Sequence, residues 1–192
     1  MTAMPTPTAV VVDPAVDPVV DRVVDPGLRA FLVAFREGTQ RFMNGDTAPW
    51  LGNASRGDDV MIMGAWGGYE KGWPAVEARY QWAGARFRDS GAELAIEYLT
   101  AFESGNLAVT TAIERAQVRV EGLETTAAMT LRVTHVFRKE HGTWKLVLRH
   151  ADPVVARTAP EAVMDKPNGP SGVAGRLPLV SDRPSPSAVP AG

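Results

Sequence analysis

From residue 93 onward the chain reads at a period of two. Residues 93–102, 106–120, 125–139 and 143–154 alternate apolar with polar side chains, and short turns at Glu103-Ser104-Gly105, 121–124 and His141-Gly142 separate them. Side chains on a strand point alternately to two faces, so these stretches are predicted strands joined as an antiparallel meander. Several exceed the usual strand length of roughly five or six residues. Long strands twist and bend, and a bent sheet must bury one face against another layer.

The upstream segment supplies that layer. Asp25 is placed to cap a helix that Pro26 opens. Leu28, Phe31, Leu32, Phe35, Thr39 and Phe42 follow at helical spacing, and Asn44-Gly45 ends the run. A short helix is predicted over 48–53 around Trp50 and Leu51, then a strand over 59–65. Gly67-Gly68 reads as a two-residue hairpin turn, with Tyr69 to Lys71 as the return strand. A second long helix is predicted from Trp73 to Arg88, with Trp73, Val76, Tyr80, Ala83 and Phe87 on its apolar face and Ser90-Gly91 as its stop. Helices first and long strands after predict an α+β domain, a curved antiparallel sheet wrapped as a cone around N-terminal helices.

Both ends differ in composition from this core. Asp13, Asp17, Asp21 and Asp25 recur at every fourth position, and prolines follow three of them. Proline at that density forbids a continuous helix. Residues 1–26 are expected to be a disordered tail, with a docking arm as the alternative. Residues 27–156 form the domain, and 157–192, rich in Pro, Ser, Gly and Ala, form a second disordered tail.

The 192 residues hold no cysteine, which excludes disulfides, thiolate metal sites and a cysteine nucleophile. A net charge of −2 argues against nucleic acid or an anionic membrane as partner. No apolar run approaches the roughly 20 residues that span a bilayer, and the N-terminus is a poor signal peptide, so a cytoplasmic location is the default expectation. The three histidines, His135, His141 and His150, lack metal-ligand spacing. No metal and no cofactor is expected, and no phosphate loop or nucleophile elbow occurs.

The element order over about 27–155, with Gly64-Ala-Trp-Gly-Gly68, the 105–115 strand and Gly142-Thr-Trp-Lys-Leu-Val-Leu-Arg-His150, resembles the superfamily of nuclear transport factor two, ketosteroid isomerase and the SnoaL-like polyketide cyclases. The last strand also resembles the association domain of calcium/calmodulin-dependent protein kinase type II. The resemblance implies the cone fold, a pocket whose mouth lies near the glycine hairpin, and a homodimer through the outer sheet face. It does not choose among isomerases, cyclases, hydratases and non-enzymatic domains. The tyrosine–aspartate pair of ketosteroid isomerases has no counterpart here, since the first helix offers Phe31, Phe35 and Phe42 but no tyrosine.

A two-residue turn at His141-Gly142 pairs Phe137 with Leu146, His135 with Leu148 and Val133 with His150. Strict alternation then puts His135, His150 and Asp152 on the apolar inner face with Trp144, Leu146 and Leu148. Arg132, Thr134 and Arg149 fall on the outer face. His150 with Asp152 or His135 is the candidate catalytic acid–base set, because histidine titrates near neutrality. Each has a plainer alternative: a hydrogen-bonded structural histidine, and an aspartate ending the strand before Pro153. Glu114, between Ala112 and Ala116, is either a buried acid reaching a ligand or a surface partner of Arg132. Tyr69, Trp66, Tyr80, Trp144 and Phe35 complete the candidate substrate-binding set, although Trp66 also suits core packing. Two functions follow. One is a cofactor-independent isomerase, cyclase or hydratase acting on a small apolar or cyclic molecule. The other is a non-catalytic ligand-binding or oligomerisation domain.

Overall fold

The computed structural model describes residues 17–153 except Val24 and Ser90. Residues 1–16 and 154–192, with most of the two expected tails, and the expected helix stop at Ser90 lie outside the described residues.

Three helices precede most of the sheet. They are α1 (Pro26–Phe42), α2 (Ala48–Asn53) and α3 (Trp73–Gly84). The Asp25 carboxylate caps α1 by accepting the amides of Gly27 and Leu28. That satisfies two donors that have no intrahelical acceptor. α1 buries Leu28, Leu32, Phe35 and Thr39 along one stripe.

The strands are β1 (Met61–Met63), β2 (Tyr69–Lys71), β3 (Phe87–Arg88), β4 (Leu94–Ser104), β5 (Leu107–Val120), β6 (Ala127–Glu140) and β7 (Thr143–Pro153). The sheet runs β2-β1-β7-β6-β5-β3, with β4 also paired to β5. The β1–β7 pair is parallel and every other pairing is antiparallel. The curved sheet wraps around the helices as the period change predicts.

Three expectations need correction. α3 stops at Gly84, because Phe87 and Arg88 leave the helix to pair with Val120 and Arg119 of β5. The β1–β2 turn is longer than two residues: Met63 pairs with Tyr69, so Gly64–Gly68 forms the loop, with Gly67 and Gly68 at φ of 84° and 73°. The described residues among 17–25, expected within the tail, lie against the domain. Val20–Arg22 forms a 3-10 turn, Val23 is buried, and the Asp17 carboxylate accepts the Tyr98 amide at 3.2 Å.

The hairpin between β6 and β7 turns at His141-Gly142 as expected, with both residues at positive φ, which suits the twist of the flanking strands. Phe137 pairs with Leu146 as predicted. One step further Val136 pairs with Leu148, so Val147 is an extra residue, a β-bulge. Beyond it, His135 faces Arg149 and Val133 faces Ala151.

Candidate functional site

The bulge decides which polar groups enter the cone. A one-residue insertion exchanges the two faces of every residue after it. Trp144 and Leu146 point inward before Val147; Arg149 and Ala151 point inward after it, and all four are buried. His150 and Asp152 turn outward, with side chains 45% and 42% exposed. The expected facial assignment of β7 is therefore inverted past residue 147.

On the inner face Thr110, His135 and Arg149 form one cross-strand row. Glu114 lies further along β5, beyond the row of Ala112, Val133 and Ala151. These two alanines leave space for the Arg149 side chain to reach the carboxylate. Arg149 Nη1 donates to Glu114 Oε1 at 2.9 Å, and Nη2 donates to Oε2 at 2.7 Å. This fork-to-fork geometry is the strongest arrangement available to arginine and a carboxylate. Glu114 is thus buried rather than on the surface, and its partner is Arg149 rather than Arg132.

Arg149 Nη1 also lies 2.6 Å from His135 Nε2. Arginine only donates, so Nε2 accepts and the imidazole proton sits on Nδ1, facing Thr110 Oγ1 at 3.4 Å. Burial and the adjacent Arg149 charge push the His135 pKa down to about 3, against a smaller opposing pull from Glu114. Burial pushes the Glu114 carboxyl up, but the charge and hydrogen bonds of Arg149 outweigh it and hold the group below its ordinary range. At neutral pH the cluster is one cation, one anion and one neutral imidazole. Phe35 and Phe137 pack on the His135 ring at 4.9 and 5.6 Å between centroids.

Arg149 also faces a cavity of about 520 Å³ between the helices and the sheet. Its walls are mostly apolar: Phe42 and Met43 of the α1 end, Trp50, Ile62, Phe87, Val118 and Met129. Trp66, Leu123, Ala127 and Ala128 line it from exposed positions and make the mouth. Tyr80 lines the interior, and burial raises its hydroxyl pKa, so the phenol stays protonated. The buried Trp50 Nε1 faces the Tyr80 side chain.

Of the candidate binding residues, Trp66 and Tyr80 line this cavity, and Glu114 sits behind Arg149. Phe35 and Trp144 are core residues outside the lining, and Tyr69 is exposed on β2. His150 and Asp152 meet on the outer face at 3.2 Å, beside Arg132 at 3.6 Å from Asp152. They border a separate cleft of about 340 Å³ with Leu99, Thr111 and Thr134. Arg149 is the inward-facing residue that alternation missed. Its trace in the sequence is the apolar run Leu146-Val147-Leu148, which breaks period two where the bulge falls, together with an inward carboxylate on β5 that requires a cation nearby.

A model of the SnoaL-like domain matches residues 31–156. The chain belongs to the SnoaL-like family. No curated protein matches this SnoaL-like chain in sequence. Solved structures share its fold. A candidate dehydratase of the NTF2-like family from Streptomyces avermitilis superposes with a TM-score of 0.57 at 21% identity, covering 68% of this chain and 95% of its own. A nuclear transport factor 2 superfamily protein from Salmonella enterica gives 0.57 at 18% identity, covering 69% and 92%. A ketosteroid isomerase-like protein from Erwinia carotovora gives 0.55 at 14%, covering 66% and 93%. At such identities the likeness concerns the fold alone. No helix among the described residues of the SnoaL-like domain is long and apolar enough to cross a membrane.

Proposed function

We propose that this SnoaL-like domain binds a small, largely apolar molecule between its helices and its sheet, with an oxygen acceptor directed at Arg149. One observation carries this reading. Arg149 lines a mostly apolar hollow, and of its five N–H groups only three meet acceptors among the described residues. The Nε–H and one Nη2–H remain to be received. A volume of about 520 Å³ falls within the range of small-molecule sites, roughly 300–1,000 Å³. The walls supply affinity through burial, and Arg149 supplies orientation.

Binding is favoured over acid–base turnover by the protonation states of the buried trio. A general base needs an available lone pair and a pKa near the working pH. Glu114 has both oxygens engaged by Arg149, and His135 Nε2 is already an acceptor. An isomerase, cyclase or hydratase using His150, Asp152 and His135 has one support: the 3.2 Å His150–Asp152 contact beside the outer cleft. Its substrate would approach from that face. Exposed Leu99, Phe102 and Leu107 support a homodimer through the same face, which sedimentation of a Phe102→Asp variant would test.

The binding reading is tested with Nile red, an uncharged dye with one carbonyl. Wild type should bind it with a blue-shifted emission, and Ala83→Trp, which fills the hollow from α3, should abolish binding. Absent binding, or binding indifferent to Ala83→Trp, would remove the cavity as the site.

A further inference from the structure

The end of β7 sets the direction of the chain that follows it. β6 and β7 run antiparallel, and their last pair is Leu131 with Pro153. β6 continues past that pair to Ala127, with β5 on one side and no described strand on the other. An open edge of this kind offers its backbone groups to a continuing strand. Val154 and Val155 follow Pro153 and are β-branched, as such a strand favours. Ala127 and Ala128 on that edge are exposed and line the mouth of the hollow, so the chain past Pro153 leaves along the mouth.

The mouth carries an apolar patch with a cation beside it. Trp66 and Leu123 are exposed there, and Trp66 meets the exposed Trp82 edge-on at 5.7 Å. Large apolar side chains gathered on a surface mark a place that something covers. The Arg86 guanidinium lies 3.6 Å from the centroid of the Trp82 ring and donates to the Trp82 carbonyl oxygen at 2.8 Å. It has no carboxylate partner among the described residues. Glu121, whose amide donates to the Arg86 carbonyl oxygen, gives its carboxylate to Arg88 at 3.1 Å.

The complement to this patch stands a short way along the same chain. Glu161 and Asp165 flank Ala162-Val163-Met164. At about 3.3 Å per extended residue, the stretch after Pro153 easily spans a hollow of about 520 Å³, which as a sphere is about 10 Å across. We propose that residues 158–165 cover this mouth, with Ala162, Val163 and Met164 on Trp66, Trp82 and Leu123, and Glu161 and Asp165 against Arg86. The hollow then opens only when the segment leaves. The contact is independent of what the hollow binds.

The chain has no cysteine, so introduced pairs report on the contact directly. Disulfide formation in oxidised glutathione is compared in the full chain for Ala127→Cys with Ala162→Cys and for Ala127→Cys with Ala174→Cys. Tail length alone favours the nearer position about fourfold, through its three-halves power. The 162 pair should close within one chain at least tenfold faster than the 174 pair. Glu161→Lys with Asp165→Lys, which leaves every domain residue in place, should slow that closure about fivefold by setting like charges together. Adding Arg86→Glu should restore most of the rate. A smaller ratio between the two pairs, or a rate indifferent to the charge reversal, overturns the proposal. So do disulfides that form between chains, which would give the patch to a second copy. Sedimentation of wild type with phosphatidylglycerol vesicles, abolished by Trp82→Ala, would give the patch to a lipid surface and overturn it as well.

Discussion

His135 lies 3.7 Å from Glu114 inside the cone, and His150 lies 3.2 Å from Asp152 on its outer surface. Each pair joins an imidazole to a carboxylate, the inner one across β5 and β6 and the outer one along β7. The inner pair is fully buried and closed by Arg149, which leaves the imidazole neutral and the carboxylate ionised. The outer pair is about half exposed, where ion pairs contribute little. Proximity of a histidine to a carboxylate thus says little about chemistry until burial and the third partner are known.

The sharpest break of this comparison is insertion of one alanine between Leu148 and Arg149. The added residue shifts the register by one, which would carry His150 and Asp152 inward and Arg149 outward, stranding Glu114 and His135. The insertion variant should lose its cooperative thermal transition. A variant melting within a few degrees of wild type would show that the strand absorbs the extra residue in a wider bulge.

Arg149→Met should cost about 3–5 kcal/mol in urea unfolding, because it leaves a buried carboxylate without its cation. Combining it with Glu114→Gln should restore much of that loss. A double variant as unstable as the single would mean that Arg149 matters through packing alone.

Acid should separate the two pairs next. The folded His135 pKa is depressed from 6.5 to about 3. Between those values the unfolded chain binds the extra proton, so stability falls as pH drops below 6.5, by up to about 1.4 kcal/mol per pH unit. Glu114, also depressed, adds its own loss once pH falls below its ordinary value of 4.5. His135→Asn should flatten the stability profile between pH 6.5 and 4.5. An unchanged slope there would contradict a neutral buried His135.

Arg132→Ala, which removes the outer cation 3.6 Å from Asp152, should change stability by no more than about 0.5 kcal/mol. A loss above 1 kcal/mol would mean that the outer face is buried in solution.

The legible parts of the sequence were those governed by local rules. Asp25-Pro26 announced the start of α1 because capping depends on adjacent residues, and His141-Gly142 announced its turn because the required dihedrals favour such residues. The stop of α3 was hidden, since Phe87 continues a helical stripe in sequence and is recruited by β5 in space. Asp17 looked like part of a solvated repeat until the Tyr98 amide, freed beside the bulge between Tyr98 and Thr100, gave it a partner. Glu114 was legible as a candidate with two outcomes, and only the opposing strand chose between them.

Residue order alone determined the kind of fold: capped amphipathic helices followed by long period-two strands admit few arrangements other than a bent sheet over a helical layer. Tertiary structure decided which charged groups the cone encloses. A strand's alternation specifies two faces but not which is inner once an extra residue intervenes. Pairing against β6 and β1 places the bulge at Val147, and burial then selects the face whose arginine can neutralise Glu114.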